Sequence, residues 1–142
     1  MSNTEAQRQA GRRAMAEIMG EAIMRRRDAS TNAFNAPLRQ LSEVQAYGDV
    51  WSRPGLPRST RSLLTLVMLT ALGREKELHN HVHGALNNGC TVQEIQEALY
   101  QSATYCGIPA AIEAFQAAEA VLAERGLLPT ASSPVPERAS EP

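Results

Sequence analysis

The sequence predicts an all-α fold, a compact bundle of about six helices. Three observations carry that expectation. Aromatic residues make up only 4% of the chain, alanine and leucine recur throughout, and no stretch sustains the period-two alternation of a half-buried strand. Apolar residues return instead at three and four positions, the spacing of one helical face. With 142 residues the chain can build one domain with its own core, expected over residues 1–126.

The first helix is expected over residues 5 to 27, where Met15, Ile18, Met19, Ala22 and Ile23 share a face. Its end, "RRRD", suits the negative pole of the helix dipole. "ASTNAFNAP" reads as a loop. A second helix opens near Pro37 and runs through Leu38, Leu41, Val44 and Gln45 towards Trp51. The turn "SRPGLPRS" follows, dense in proline and glycine.

From Ser59 to Leu72 the chain is apolar on almost every side, and Gly73 offers a left-handed stop. Such a helix must be covered all round, either centrally or at a subunit contact. A helix through the histidines follows, ended by "NNG". "TVQE" at 91 to 94 is a capping box, in which Thr91 and Glu94 serve each other's amides. Ile95, Ala98, Leu99, Ser102 and Ala103 then trace one face. After "CGIP", Pro109 can open a last helix through Ile112, Phe115 and Leu122 to Gly126. Residues 127–142, rich in proline and serine, read as a disordered tail.

Charge and composition narrow the function classes. A net charge of −1 argues against a nucleic-acid or anionic-membrane partner. No apolar run is long enough to span a bilayer, and "MSNTEAQRQAGRR" lacks the apolar centre of a signal peptide, so the cytoplasm is the expected location. Cys90 and Cys106 form no C-x-x-C and read as small buried thiols.

All three histidines fall within "HNHVH", at His79, His81 and His83. At helical spacing, residues four apart share a face and residues two apart diverge. His79 and His83 could therefore hold a metal together, without His81. A third ligand would have to come from elsewhere, and no H-E-x-x-H pattern supplies it, so no metal site is expected. On the helical wheel Leu78, Val82, Ala85, Leu86 and Gly89 form the inward stripe. His79 and His81 lie on its opposite margins, with Asn80 and His83 further out. Glu77 stands four residues before His81, where a carboxylate can hold the imidazole and favour its charged form. Either margin histidine can serve as an acid–base group at the lip of a pocket, and geometry does not choose between them. Arg53, Arg58, Arg61 and Arg74 bracket the turn and the apolar helix, where guanidinium can grip a carboxylate through paired hydrogen bonds. Trp51 and Tyr105 are candidate pocket walls.

Four motifs give the chain a resemblance: "W-x-R-P-G-L", "T-R-S-L-L-T-L", "H-x-x-G-A-L-x-N-G" and "Y-x-G-x-P-A-A". With "IMGEAIMRRRDA" upstream, the sequence resembles the carboxymuconolactone decarboxylase family over nearly all of its length except the tail. The wider superfamily includes alkyl hydroperoxidases with a C-x-x-C and a histidine. Counting back from Gly89, the two thiol positions fall on Arg74 and Glu77 and the histidine on His81. The superfamily glutamate falls on Ser62. Thiol peroxidase chemistry is not expected, because its nucleophile is missing.

The resemblance implies an alkyl hydroperoxidase-like fold assembling into ring-like homo-oligomers, as trimers or hexamers. It implies decarboxylation of gamma-carboxymuconolactone to the enol-lactone of oxoadipate in protocatechuate breakdown, with no metal or organic cofactor. It selects His81 as the general acid, with Glu77 to orient it. Arg61 and Arg53 become candidates for holding substrate carboxylates, and Glu43 for a second proton-handling group. Ser62, Trp51, His79 and Tyr105 complete the expected substrate-binding set. The alternatives are a related decarboxylase or isomerase on another carboxylated ring, and a non-catalytic oligomer that binds small carboxylates.

Overall fold

The computed structural model describes residues 3–132, whose regular elements are all helical, with no strand among them. In chain order they form α1 (Asn3–Met19), α2 (Glu21–Ala29), α3 (Ala36–Leu41), α4 (Arg58–Ala71), α5 (Glu75–Asn87), α6 (Val92–Cys106) and α7 (Ile108–Glu124). A π-helical turn, Ser42–Tyr47, continues α3, and a 3₁₀ turn, Val50–Ser52, follows it. The all-α expectation holds.

Several elements differ from their sequence-based outlines. The single helix expected over 5 to 27 is two helices, because Gly20 takes φ +81°, a left-handed value that breaks the α conformation. Met15, Ile18 and Met19 stay buried before the break, while Ala22 after it is exposed. The second helix also turns a different face inward. Leu38 and Leu41 are exposed, Leu38 by 70%, whereas Glu43 and Tyr47 are buried. The π-helical turn is responsible: the Gly48 amide donates to the Glu43 carbonyl five residues back, which rotates the apolar register.

The last four helices make the larger apolar core, with Leu66 of α4, Val82 of α5, Leu99 of α6 and Val121 of α7 fully enclosed. α7 meets it with Ala114, Ala117 and Ala118, and the expected core position Ile112 is exposed instead. A second cluster joins Met15, Ile18 and Met19 of α1 to Met24, Tyr47 and Trp51. Gly84 lets α5 approach α1 closely, since a Cβ there would lie 3.1 Å from Ile18. Asn87 Nδ2 donates to the Ile18 carbonyl at 2.8 Å across the same contact.

The capping box is formed: Glu94 N donates to Thr91 Oγ1 at 3.0 Å, and Thr91 N to Glu94 Oε2 at 2.7 Å. Gly73 ends α4 at φ +63°. α4 buries Ser62, Leu66 and Thr70 but leaves Leu64, Met68 and Leu72 uncovered, Met68 by 56%. No described helix is long and apolar enough to cross a membrane. Residues 127–132 hold no helix, and the rest of the expected tail lies outside the described residues.

Candidate active site

Glu43 is the most enclosed charged group among the described residues, 2% exposed on the π-helical turn. Arg8 Nε donates to its Oε2 at 2.8 Å, while Arg12 and Arg27 Nη1 donate to its Oε1 at 3.1 and 2.9 Å. Burial alone would raise the carboxyl pKa. The Arg8 hydrogen bond, the charge of Arg27 and the Arg12 hydrogen bond outweigh it, holding Glu43 below its ordinary value. A carboxylate locked in this way stays ionised at neutral pH and is a poor proton carrier. Glu43 is a node joining α1, α2 and the π-helical turn, contrary to the expected second proton-handling role.

Glu43 and Tyr47 share the inward face of that turn, and Trp51 extends it. The Tyr47 and Trp51 rings stack with centroids 6.1 Å apart and planes 11° off parallel. His81, carried in by α5, also stacks on Trp51, at 6.1 Å and 17°. Burial lowers the His81 pKa from 6.5 to about 4. The imidazole is therefore neutral at pH 7. No protein group hydrogen-bonds either ring nitrogen among the described residues, and neither nitrogen is sealed from solvent.

The expected Glu77–His81 pair is not formed. Glu77 is exposed and lines a neighbouring cleft, where its charge adds to burial in raising the Tyr47 pKa. That cleft has a volume of about 450 Å³ and lies between α1, α2 and the start of α5. Met15, Met19, Met24 and Tyr47 supply its apolar wall, and Arg26, Arg27, Arg39 and Lys76 its cations. Arg27 is committed to Glu43, and Arg39 to the Arg27 carbonyl, Thr31 and Ser30. The Arg26 guanidinium and the Lys76 ammonium have no hydrogen-bonding or ionic protein partner among the described residues. These cations and Tyr47 were not singled out from sequence. The "RRRD" run suits the helix dipole, and its three adjacent arginines also put positive charge on several faces of the helix.

The other expected site residues scatter. Trp51 is buried and stacked with both Tyr47 and His81. Ser62 is buried and accepts from Asn88 Nδ2 at 3.0 Å, tying α4 to the end of α5. Arg61 Nη2 donates to the Arg53 carbonyl at 3.2 Å, leaving its buried Nε unpartnered. Arg53 itself is exposed and 4.0 Å from Asp49. Tyr105 is 83% exposed and no wall within this chain. His79 turns away from the cleft to α7, where it and His83 both meet Glu124. Cys90 is buried, donates to the Ser59 carbonyl at 3.3 Å, and has its pKa pushed up by burial to about 11; Cys106 is half-buried. The Cys90 setting disfavours a thiolate nucleophile, in line with a sequence that has no C-x-x-C.

Among the described residues, an all-helical bundle thus carries an unshared imidazole and, beyond Tyr47, a cation-lined cleft. The model of the carboxymuconolactone decarboxylase family matches residues 44–120. The chain is 40% identical over 127 residues to 4-carboxymuconolactone decarboxylase of Acinetobacter baylyi (strain ATCC 33305 / BD413 / ADP1), covering 89% of this chain and 95% of that one. It is 41% identical over 98 residues to nitrosuccinic acid decarboxylase npaB of Metarhizium robertsii (strain ARSEF 23 / ATCC MYA-3075), covering 69% and 68%. The chain belongs to the carboxymuconolactone decarboxylase family. Both named relatives are decarboxylases, which supports the expected enzyme class, a carboxy-lyase.

Proposed function

We propose that the chain decarboxylates 4-carboxymuconolactone to the oxoadipate enol-lactone in protocatechuate breakdown, with His81 delivering the proton. The observation that carries the proposal is the free, half-enclosed imidazole against Trp51, on a chain similar over most of its length to a decarboxylase of that lactone. The substrate is its own electron sink. As the carboxylate leaves as carbon dioxide, its bonding pair moves through the ring double bond into the lactone carbonyl. The resulting dienolate then takes a proton on carbon, and the carbonyl re-forms. The protein has to seat two carboxylates, stabilise the growing oxyanion and supply that proton.

His81 is neutral in the free protein and a weak acid as such. A bound dianion beside it favours the imidazolium, so the substrate would charge the group that later protonates it. Arg26 and Lys76, the uncommitted cations of the cleft, are candidates to hold carboxylates. Arg61 is another, because its buried Nε–H has no partner and its guanidinium reaches the loop just beyond Trp51. Glu77 sits at the cleft and tunes its charge without touching the imidazole. The proposed chemistry draws on no metal or organic cofactor. The cytoplasm is the location this reading takes, and a ring-like homo-oligomer its assembly.

A second reading, decarboxylation of an acyclic dicarboxylate, rests on the similarity to the nitrosuccinic acid decarboxylase. Turnover assays with the lactone and with nitrosuccinate, following carbon dioxide release, separate the two. On the preferred substrate, His81→Gln and His81→Ala should lower kcat by about 10²–10⁴-fold, the usual worth of a positioned acid. Near-normal turnover in both variants would remove His81 from the mechanism. Binding of the lactone without any carbon dioxide would instead favour a non-catalytic carboxylate-binding protein.

A further inference from the structure

The proton site leaves His79 and His83 unused, and they lie on another face of α5. They are four residues apart and present their rings edge to face, with centroids 5.3 Å apart. Both aim at one carboxylate. His79 Nε2 lies 3.2 Å from Glu124 Oε1, and His83 Nε2 lies 3.1 Å from Glu124 Oε2. Glu124 is the last residue of α7, so the third group comes from a helix more than forty positions along the chain.

We propose that His79, His83 and Glu124 form a binding site for a divalent transition-metal cation of the zinc type, separate from the decarboxylation site. Two imidazoles and one carboxylate are the donor set of open zinc and non-haem iron sites. Their ligating atoms all lie within 4.8 Å of one another. Donors about 2.0–2.1 Å from a tetrahedral ion stand about 3.3 Å apart, close to the two nitrogen–oxygen separations already present. Small side-chain rotations therefore complete the site without moving either helix. Glu124 is half open to water, which leaves at least one coordination position to solvent. Arg125 is turned aside onto Asn87 Oδ1 at 3.2 Å and does not occupy the carboxylate. Burial, the leading influence on His83, favours its neutral form, which is the form that ligates. In place of two hydrogen bonds, the ion would tie the end of α7 to the middle of α5.

The test is titration of the metal-free full chain with zinc chloride by calorimetry, and with cobalt chloride by visible absorption. The expected result is one saturable ion per chain and the cobalt spectrum of a four- or five-coordinate ion. In nitrogen-15 spectra, the His79 and His83 Nε2 resonances should shift while those of His81 stay. His83→Ala and Glu124→Gln, checked for native circular dichroism, should each weaken binding by about tenfold or more, since even outer groups of metal sites carry about 10–100-fold. Cys106→Ser should leave binding unchanged. Absence of a saturable site overturns the proposal, as does binding that survives both ligand variants or disappears with Cys106→Ser. In either case His79, Glu124 and His83 form only a hydrogen-bonded bridge. Because binding is read without turnover, failure here is distinguishable from failure of the decarboxylase assignment.

Discussion

At the scale of single residues, His81 and Glu43 are ionisable groups that burial treats differently, leaving one neutral and the other charged. His81 is held neutral by burial against Trp51, with a pKa of about 4. Glu43 is held charged by three arginines despite burial. His81 Cε1–H should titrate near pH 4 in the free protein. A bound lactone dicarboxylate that cannot lose carbon dioxide should raise the midpoint by about 1–3 pH units, as close opposite charge does. An unmoved midpoint would mean that the anion is seated away from the imidazole. Both groups also bear on acid stability. The unfolded chain protonates His81 first, at the ordinary value of 6.5, so its share of stability falls as pH drops from 6.5 towards 4. Glu43 contributes above its ordinary value of 4.5, and that share is lost as pH falls below it. Urea midpoints measured against pH should therefore decline in two successive windows. His81→Gln should flatten the upper one and Glu43→Gln the lower.

At the scale of elements, the close contact of α1 with the π-helical turn positions the acid-charged cluster. A Cβ on Gly11 would stand 1.8 Å from the Glu43 carbonyl oxygen, backbone against side chain, with no flexible group to yield. Gly11→Ala should cost about 1–3 kcal/mol or more in urea unfolding and loosen the grip of Arg8 and Arg12 on Glu43. An unchanged midpoint would show that α1 can slide. The π-helical turn also makes the second helix differ from its sequence-based outline. Regular 3.6-residue spacing put Leu38, Leu41 and Val44 inward, but one π-helical hydrogen bond advances the register and buries Glu43 and Tyr47. Gly20 likewise carried no stop signal, since glycine inside a helical pattern is tolerated unless the backbone needs a positive φ. The capping box at Thr91 and the glycine after α4 were legible because such signals are local.

At the scale of the whole molecule, α4 has one face in the core and an apolar face uncovered, with Leu64, Met68 and Leu72 in a row at positions four apart. Leu38 and Leu41 add further uncovered apolar surface. Exposed apolar surface of this kind is what a subunit contact buries. Light scattering should give a mass that is a multiple of the 15.4 kDa chain, and Met68→Glu should lower it. A stable monomer at working concentration would count against the ring.

The sequence by itself determined the helical class, the capped ends of α4 and α6, the absence of a peroxidase thiol pair, the family, and the divergence of His81 from its two neighbours. Each of these is carried by composition or by local spacing, which needs no knowledge of how the helices pack. Only the tertiary structure decided what each imidazole meets: Trp51 for His81, and Glu124 for His79 and His83. It also gathered Arg26 and Lys76 at one cleft and withdrew Glu43 into its arginines. Helical periodicity fixes the angle between side chains on one helix, but the group opposite comes from a remote segment whose position is set by how whole helices pack.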